Sequence, residues 1–523
     1  MTNTIQLYDA TLRDGMQGEG MSLSAEEKLR VAHRLDELGI ELIEAGFPES
    51  NPKERELFEM LASAQFRQAQ IAAFGMTRRR ELPADADPAL IALAESVAPV
   101  CTLVGKTWTL HLDVVVKVDR EENLRMIAES IAFLRGTGKR VIYDAEHFFD
   151  GYRADPAYAL RCVRAAAEAG AETVTLCDTN GSSLPSQIAA ATAQAVSEVG
   201  DAVRVGIHCH NDAECAVANT LAAVETGARQ VQGTMNGVGE RTGNANLISI
   251  IANLQLKMGH RVLSDEQLVH LTGAAHFIDE ILNVIPDPNQ AYVGRNAFAH
   301  KGGMHVAGVA VDASTFEHID PALVGNEREL LVSELAGRAS VIEKAAELGI
   351  ELDDATATRV IGRVKELEHE GYQFEAADGS LELLLRRETG NYEPLFTLES
   401  WRVIVEQRAD GEVQTEATIK IWMDGERRVQ IAEGNGPVNA LDRALRAAIG
   451  EVHPHLADIE LVNFKVRILD ENKGTGAITR VLLDASDGAR VWGSIGVGEN
   501  IVAASWLDLV DSLERGVLGG PPS

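Results

Sequence analysis

The amino-acid sequence predicts an α/β protein that begins with a closed (β/α)8 TIM barrel. From residue 5 to about residue 260, short β-rich runs alternate with helical stretches. Eight βα units in roughly 255 residues match such a barrel better than a doubly wound sheet. The predicted strands are 5–12, 42–47, 71–74, 100–104, 140–145, 174–177, 203–208 and 231–235.

The segments between these strands carry helix boundary signals, and the strand ends carry polar residues. Ser24 precedes the periodic segment 25–38 as an N-cap, and Gly39 follows it as a C-cap. In a barrel of this kind the carboxyl ends of the strands form the active-site face. The polar residues that we expect at that face are Arg13, Asp14, Glu44, Asp144, Glu146, His147, Asp178, Thr179, His208, His210 and Asn244.

The regular alternation stops after about residue 260. Ser264 and Gln267 form a capping box, which predicts the start of a helix. The elements predicted next are that helix to about residue 283, a glycine-rich segment at 300–305 and helices at 332–348 and 355–372. We therefore expect a catalytic barrel over 1–275 and helical linker subdomains over 276–391.

The C-terminal part contains an internal near-repeat. Three strand-like runs and a helix span about 396–452, and the same order recurs over about 459–516. Asp424-Gly425 and Asp487-Gly488 are hairpin signals. Two βββα units predict an α+β domain over 392–523, for which regulation or dimerisation is the expected role.

Composition excludes several classes of partner. With 48 basic and 79 acidic residues among 523, the formal charge is −31, which argues against nucleic acid and anionic membranes. Met1 is followed by polar residues and no apolar run reaches membrane-spanning length, so no signal peptide or membrane span is expected. Five scattered cysteines without a Cys-x-x-Cys pair indicate a reducing compartment, and we expect a cytoplasmic protein.

A His-x-His pair at the seventh predicted strand is the main candidate for metal binding. Because strand residues alternate between two faces, His208 and His210 point to one side. In a closed barrel strand eight lies between strands one and seven, so Asp14 and Asn244 converge on the same rim. Imidazoles and a carboxylate form an open divalent site, and the sequence does not choose among Zn, Mn and Mg.

Such a site predicts chemistry on a 2-oxo acid. A metal with open positions chelates the carboxylate and carbonyl oxygens and polarises the carbonyl group. Arg13, beside Asp14, is placed to stabilise the alkoxide that forms after attack, and Thr179 to hold the acid's carboxylate. Glu44 and Glu146 are either water-positioning groups or salt-bridge partners. The run 78–80, three arginines, is either a solvated turn or a contact for CoA phosphates.

Four motifs together resemble one enzyme family. They are Thr-Leu-Arg-Asp-Gly-x-Gln at 11–17, Glu-Ala-Gly-Phe-Pro at 44–48, the His-x-His pair, and Asn-Gly-Val-Gly-Glu-Arg-x-Gly-Asn at 236–244. In combination they resemble the 2-isopropylmalate, homocitrate and citramalate synthases. The resemblance spans almost the whole chain, because that family also follows its barrel with helical subdomains and a C-terminal regulatory domain.

Three further segments resemble the citramalate-forming branch most closely. They are 8–13, 46–53 and 317–326. This resemblance implies condensation of pyruvate with acetyl-CoA, release of CoA and a role in isoleucine synthesis. It also implies Asp14, His208 and His210 as metal ligands with Asn244 close by, Arg13 and Thr179 as oxo-acid binders, and Glu146 as a carboxylate near acetyl-CoA.

The reaction also needs a base for the acetyl methyl group, and a histidine is suited to that role near neutral pH. In the family, a histidine from the partner subunit's helical subdomain is implicated, and it matches His305. A homodimer is therefore expected. A tyrosine often accompanies that histidine in the family, whereas the matching residue here is Phe316.

Other functions stay open on sequence grounds. Within the same class, a 2-isopropylmalate or homocitrate synthase would use another 2-oxo acid. A lyase on the same barrel and a non-enzymatic amino-acid sensor are the other classes. For regulation we expect that a branched-chain amino acid, isoleucine or leucine, binds the C-terminal domain and inhibits.

Overall fold

A computed structural model describes residues 4–48, 50–301, 303–330, 338–390, 392–469 and 476–519. It divides into two compact units, Met1–Phe298 with Ile319–Arg328, and Ala299–His318 with Glu329–Ser523. The predicted boundaries after residues 275 and 391 stay predictions, and Asn391 itself lies outside the described residues.

The first unit contains a closed barrel of eight parallel strands, which confirms the predicted fold. The strands are β1 Gln6–Asp9, β2 Leu42–Gly46, β3 Gln70–Met76, β4 Val100–Lys106, β5 Arg140–Glu146, β6 Thr173–Asp178, β7 Arg204–Cys209 and β8 Gln230–Gly233. β8 closes the barrel by pairing with β1, where Gln230 lies opposite Gln6.

Helices cover the outside of the barrel. They are α1 Ala25–Leu38, α2 Pro52–Ser63, α3 Pro88–Glu95, α4 Thr109–His111, α5 Arg120–Gly136, α6 Phe148–Ala154, α7 Pro156–Glu168, α8 Pro185–Val199, α9 Ala216–Glu225, α10 Leu247–Leu256, α11 Asp265–Leu268 and α12 Leu271–Ile281. The predicted Ser24 cap is confirmed as a capping box with Glu27, and Gly39 ends α1 with φ 105°.

The first strand is shorter than the sequence suggests. We expected it to reach residue 12, but it ends at Asp9. The Asp9 carboxylate accepts hydrogen bonds from the backbone N–H and hydroxyl of Thr11, at 2.9 and 2.8 Å. The N–H groups of Asp14 and Gly15 then both donate to the Ala10 carbonyl. The chain therefore turns sharply, and Arg13 and Asp14 lie on this turn above the barrel.

The described part of the second unit contains helices, one two-stranded parallel sheet and two three-stranded antiparallel sheets. The helices are α13 Gly303–Val311, α14 Arg338–Glu347, α15 Asp354–Glu370, α16 Asp378–Thr389, α17 Pro437–Ile449 and α18 Ile501–Leu518. The strands are β9 Ala299–His300, β10 Glu329–Leu330, β11 Thr397–Gln407, β12 Val413–Met423, β13 Glu426–Gly434, β14 Glu460–Ile468, β15 Thr479–Ser486 and β16 Val491–Gly498. The sheets β11-β12-β13 and β14-β15-β16, followed by α17 and α18, confirm the two βββα units.

Two parts of the predicted helical region lie outside the described residues. These are Gly302 in the glycine-rich segment and the beginning of the helix expected at 332, where the description resumes at Arg338. Among the described helices, none is both long enough and apolar enough to cross a membrane. All five cysteines are free, and only Cys215 is more than slightly exposed.

Candidate active site

Asp14, His208 and His210 come together at the barrel mouth, as the sequence predicted. One ligand atom from each lies within 4.8 Å of the others, and all three residues are buried. His208 Nε2 is 3.3 Å and His210 Nε2 is 3.9 Å from Asp14 Oδ2. A carboxylate and two imidazoles at this spacing fit a divalent ion with open coordination positions.

Asn244 lies beside this triad. It pairs with His210 through an isolated β-bridge. Its side-chain Nδ2 donates to the Val238 carbonyl at 3.2 Å, whereas its Oδ1 is buried without a hydrogen-bond partner. A buried amide oxygen without a partner is costly unless another group uses it. The Oδ1 of Asn244 therefore places a fourth candidate donor atom, an oxygen, at the rim of the predicted metal site.

Charge interactions keep Asp14 ionised. Burial by itself raises the pKa of Asp14, but the Arg13 guanidinium and a hydrogen bond from His208 outweigh this effect and lower it well below its usual range. Burial also favours neutral imidazoles, and together with His208 it lowers the pKa of His210 to about 4. An ionised carboxylate beside a neutral imidazole is the protonation state in which these groups bind a metal.

Arg13 is held rigidly on both sides. Its Nε donates to Glu44 Oε1 at 2.5 Å, and its Nη1 lies 3.3 Å from Asp14 Oδ2. The guanidinium carbon lies 3.8 Å from the centre of the Phe74 ring, a cation–π contact. Only 10% of the Arg13 side chain is exposed, so the charge is fixed next to the triad. Glu44 is thus the salt-bridge partner of Arg13, which is one of the two roles left open by the sequence.

Thr179 lies on the loop after β6, where its hydroxyl and carbonyl have separate partners. The backbone N–H of His147 donates to Thr179 Oγ1 at 2.9 Å. The carbonyl of Thr179 accepts a hydrogen bond from Arg241 Nη2 at 2.8 Å. Since the hydroxyl oxygen already accepts, its own proton is available to a carboxylate.

Glu146 forms an ion pair with Lys106 at the ends of β5 and β4. The two residues are opposite each other in the parallel pairing of these strands. The predicted contact with acetyl-CoA is not tested by this arrangement, so that role stays a prediction.

His305 lies in the second unit, and its role as the base also stays a prediction. It is exposed on α13, and its ring stacks on Phe316 with the centroids 4.2 Å apart. The Phe316 ring packs against Gly308, where a Cβ would come within 2.4 Å of a ring carbon. A phenyl group therefore occupies the face of His305 at the position where the family often has a tyrosine.

A buried polar layer beneath the site was only partly recognised from sequence. The Tyr8 hydroxyl hydrogen-bonds Glu44 and lies 2.7 Å from Thr102 Oγ1. Gln232 Nε2 donates to Asp144 Oδ1 at 3.0 Å across the barrel. Burial, and next the charge of Glu44, raises the pKa of Asp144 to about 6. The period-two pattern places these residues on the inner face, but their pairing needs the register of strands distant in sequence.

A cleft of about 800 Å³ opens beside Phe74, between the ends of β3 and β4. Residues 78–80 and Lys106 are among its lining residues. Arg78 is bound to Glu122 and Glu129 at 2.9 and 2.6 Å, so it is a buried structural arginine and not part of a solvated turn.

Three successive segments of the chain match known protein families. Residues 4–278 match the family described as HMGL-like, 292–372 match the homocitrate synthase post-HMGL domain-like family, and 375–517 match the LeuA allosteric (dimerisation) domain. The chain is 48% identical to the (R)-citramalate synthase of Aquifex aeolicus over 98% of both chains. It is 49% identical to that of Streptomyces coelicolor over 99% of this chain and 97% of the relative.

The chain belongs to the (R)-citramalate synthase family. A probable 2-isopropylmalate synthase of Methanopyrus kandleri is less similar, with 35% identity over 98% of this chain and 99% of the relative. The predicted family, branch and enzyme class are thereby confirmed, and the alternative of a 2-isopropylmalate or homocitrate synthase is not favoured. The match to a dimerisation domain agrees with the expectation that the family acts as a dimer.

Proposed function

We propose that the protein is a metal-dependent acyltransferase that condenses acetyl-CoA with pyruvate and water to give citramalate and CoA. The observation that carries this proposal is the buried triad of Asp14, His208 and His210 next to Arg13, in a chain of the (R)-citramalate synthase family. We further propose that the product serves isoleucine synthesis and that the protein is cytoplasmic.

The donor set fits a divalent ion. Three buried ligand atoms converge, and the unpartnered Oδ1 of Asn244 lies at the same rim. Such an ion, Zn, Mn or Mg, would supply Lewis-acid polarisation of the 2-oxo acid's carbonyl group.

Arg13 and Thr179 would hold the pyruvate. The Arg13 guanidinium is fixed between Glu44 and Asp14 and faces the region where negative charge develops on the carbonyl oxygen. The Thr179 hydroxyl can donate its proton to the pyruvate carboxylate, because the His147 N–H already occupies its oxygen.

The cleft beside Phe74 would hold acetyl-CoA. Its walls are largely apolar, and arginines 79 and 80 are among its lining residues, which suits the pantetheine arm and the phosphates of CoA. Glu146 and its partner Lys106 stand near this cleft at the ends of neighbouring strands. This placement agrees with the predicted role of Glu146 near acetyl-CoA.

His305 would act as the base from a partner subunit. It takes a proton from the acetyl methyl group, and the resulting carbon bonds to C2 of pyruvate while the carbonyl electrons move to oxygen. That alkoxide, stabilised by Arg13, then takes up a proton in place of the one that His305 removed, which restores the neutral base. Water attacks the thioester carbonyl, the carbon–sulfur bond breaks, and CoA leaves as the thiol. The protein would therefore work as a homodimer, inhibited by isoleucine or leucine bound to the C-terminal domain.

The substrate test measures CoA thiol release with three 2-oxo acids in parallel. Pyruvate should be used far better than 2-oxoisovalerate or 2-oxoglutarate, and release should disappear in Asp14→Ala. Equal use of all three acids, or preference for one of the others, would overturn the substrate assignment. Release that survives in Asp14→Ala would overturn the metal-dependent mechanism.

The shared-site test uses two inactive variants. Asp14→Ala lacks the metal ligand and His305→Ala lacks the base. If each active site combines Asp14 of one subunit with His305 of the other, mixing the two variants so that their subunits exchange should restore part of the activity. No recovery after verified exchange would place His305 in the same subunit's site or outside it.

A further inference from the structure

Three loops at the rim of the barrel meet at the side chain of Arg241. Arg241 lies on the loop after β8, within the 236–244 motif, with its backbone in the left-handed region at φ 59°. Its Nε and Nη2 bind Asp212, on the loop after β7, at 2.7 and 2.8 Å. The same Nη2 donates to the carbonyl of Thr179, on the loop after β6, at 2.8 Å.

Resting on the function proposed above, we propose that Arg241 is a positioning residue that sets Thr179 for the carboxylate of the 2-oxo acid. A planar guanidinium can bind a carboxylate with two parallel N–H groups and still donate to a neighbouring carbonyl in a fixed geometry, which the point charge of an ammonium and the two donors of an amide do not reproduce. Arg241 thus fixes the backbone of Thr179 from one side, while the His147 N–H fixes its hydroxyl from the other.

The loops are already pressed together at this point. A Cβ on Gly181 would come within 2.4 Å of Asp212 Oδ2, and Gly181 itself has φ 59°. The N–H of Ala213 donates to the Gly181 carbonyl at 2.9 Å. A displacement of Asp212 should therefore displace the loop that carries Thr179.

The hydrogen bond and the β-bridge that hold the candidate metal ligand His210 do not include Arg241, although the charge of Arg241 is felt there. The backbone N–H of His210 donates to the Asp178 carbonyl at 3.2 Å, and His210 also pairs with Asn244. Neither contact involves Arg241. Loss of Arg241 should thus disturb the binding of the 2-oxo acid more than the binding of the metal.

The Arg241–Asp212 pair adds little to stability, because both side chains are partly exposed, at 38% and 27%. A substitution of Arg241 should therefore change the kinetics without destabilising the fold, so the two effects can be measured separately. Arg140 offers a matched control at the opposite end of the barrel, where it binds Glu172 with two N–H groups and has 34% of its side chain exposed.

The experiment compares the holoenzymes of wild type, Arg241→Gln and Arg140→Gln by steady-state kinetics, metal titration and thermal unfolding. A hydrogen bond to a charged group corresponds to roughly a tenfold effect, so we expect KM for pyruvate to rise about tenfold in Arg241→Gln. The KM for acetyl-CoA, the metal affinity and the unfolding temperature should stay close to wild type, as should every property of Arg140→Gln. An unchanged KM for pyruvate in Arg241→Gln would overturn the proposal, as would a parallel loss of metal affinity.

Three further variants test the route through Thr179. If Arg241 acts through this residue, the double variant Arg241→Gln/Thr179→Val should have the same KM for pyruvate as Thr179→Val alone. Additive effects would show that Arg241 acts elsewhere. Arg241→Lys keeps the charge without the planar fork, so full recovery of KM in this variant would also contradict the proposal. Absence of turnover with pyruvate in the wild type contradicts the proposed function instead, and the same comparison then applies to the 2-oxo acid that is turned over.

Discussion

Asp508 on α18 should make the stability of the C-terminal domain fall as pH rises. The residue is fully buried, neither carboxylate oxygen makes a hydrogen bond of normal geometry, and the nearby Ser494 hydroxyl offsets only part of the cost of burial. Burial raises the pKa of Asp508 from 3.8 to about 8. In the unfolded chain this carboxyl group ionises near its ordinary pKa, so the folded state binds one proton more between these two values.

The free energy of unfolding should therefore fall as pH rises from about 4 to about 8. One proton changes it by about 1.36 kcal/mol per pH unit, so the loss attributable to Asp508 between pH 5 and pH 8 is roughly 4 kcal/mol. Asp508→Asn removes the ionisation and keeps the side-chain volume. The difference in unfolding free energy between the variant and the wild type should rise over this range and level off above pH 8.

Denaturant unfolding followed by tryptophan fluorescence measures this effect. Trp492 and Trp506 are buried in the same hydrophobic core as α18, so their emission reports on the domain that contains Asp508. Asp410→Asn, at an exposed hairpin position, is the control and should leave the pH profile unchanged. A difference between Asp508→Asn and wild type that does not vary between pH 5 and pH 8 would refute the reasoning.

Other predictions concern the barrel. Asp14→Asn and His208→Asn should each lower divalent metal affinity at least tenfold in calorimetric titration, because loss of a group that only orients a metal ligand already costs about that much; unchanged affinity would remove them from the site. Arg13→Lys should lower kcat for the condensation by about 100-fold with a smaller change in KM, because removing one hydrogen-bond donor to a developing oxyanion typically costs about this much. An unaltered kcat would exclude Arg13 from alkoxide stabilisation. Gly181→Ala should lower the unfolding temperature, because its φ is 59° and the new Cβ would meet Asp212; a stability equal to wild type would mean that the loop rearranges freely.

Much of the site could be predicted from local rules. The alternation of strands and helices predicted the barrel, and period two placed His208 and His210 on one face. Closure of the barrel then brought Asp14 close to both imidazoles, although these residues are far apart in the chain. The metal triad was therefore predictable, because each step depends only on repeat count and strand geometry.

The partners of the charged side chains were not predictable in the same way. The sequence left Glu44 and Glu146 between two roles, and the structure pairs them with Arg13 and Lys106. The sequence permits Arg78 as a solvated residue or a CoA contact, whereas the structure buries it against Glu122 and Glu129. Pairings of this kind depend on strand register and loop conformation, which composition and residue spacing do not specify.

The sequence by itself determined the eight βα units, the two βββα units and the set of candidate metal ligands, because periodicity and motif spacing encode them directly. Only the tertiary structure decided that β1 ends at Asp9 and that Arg13 is fixed against Glu44 and Phe74. It also decided that Arg241 joins three loops at Thr179. These features arise from contacts between segments that are distant in sequence, and such contacts form only when the closed barrel brings the segments together.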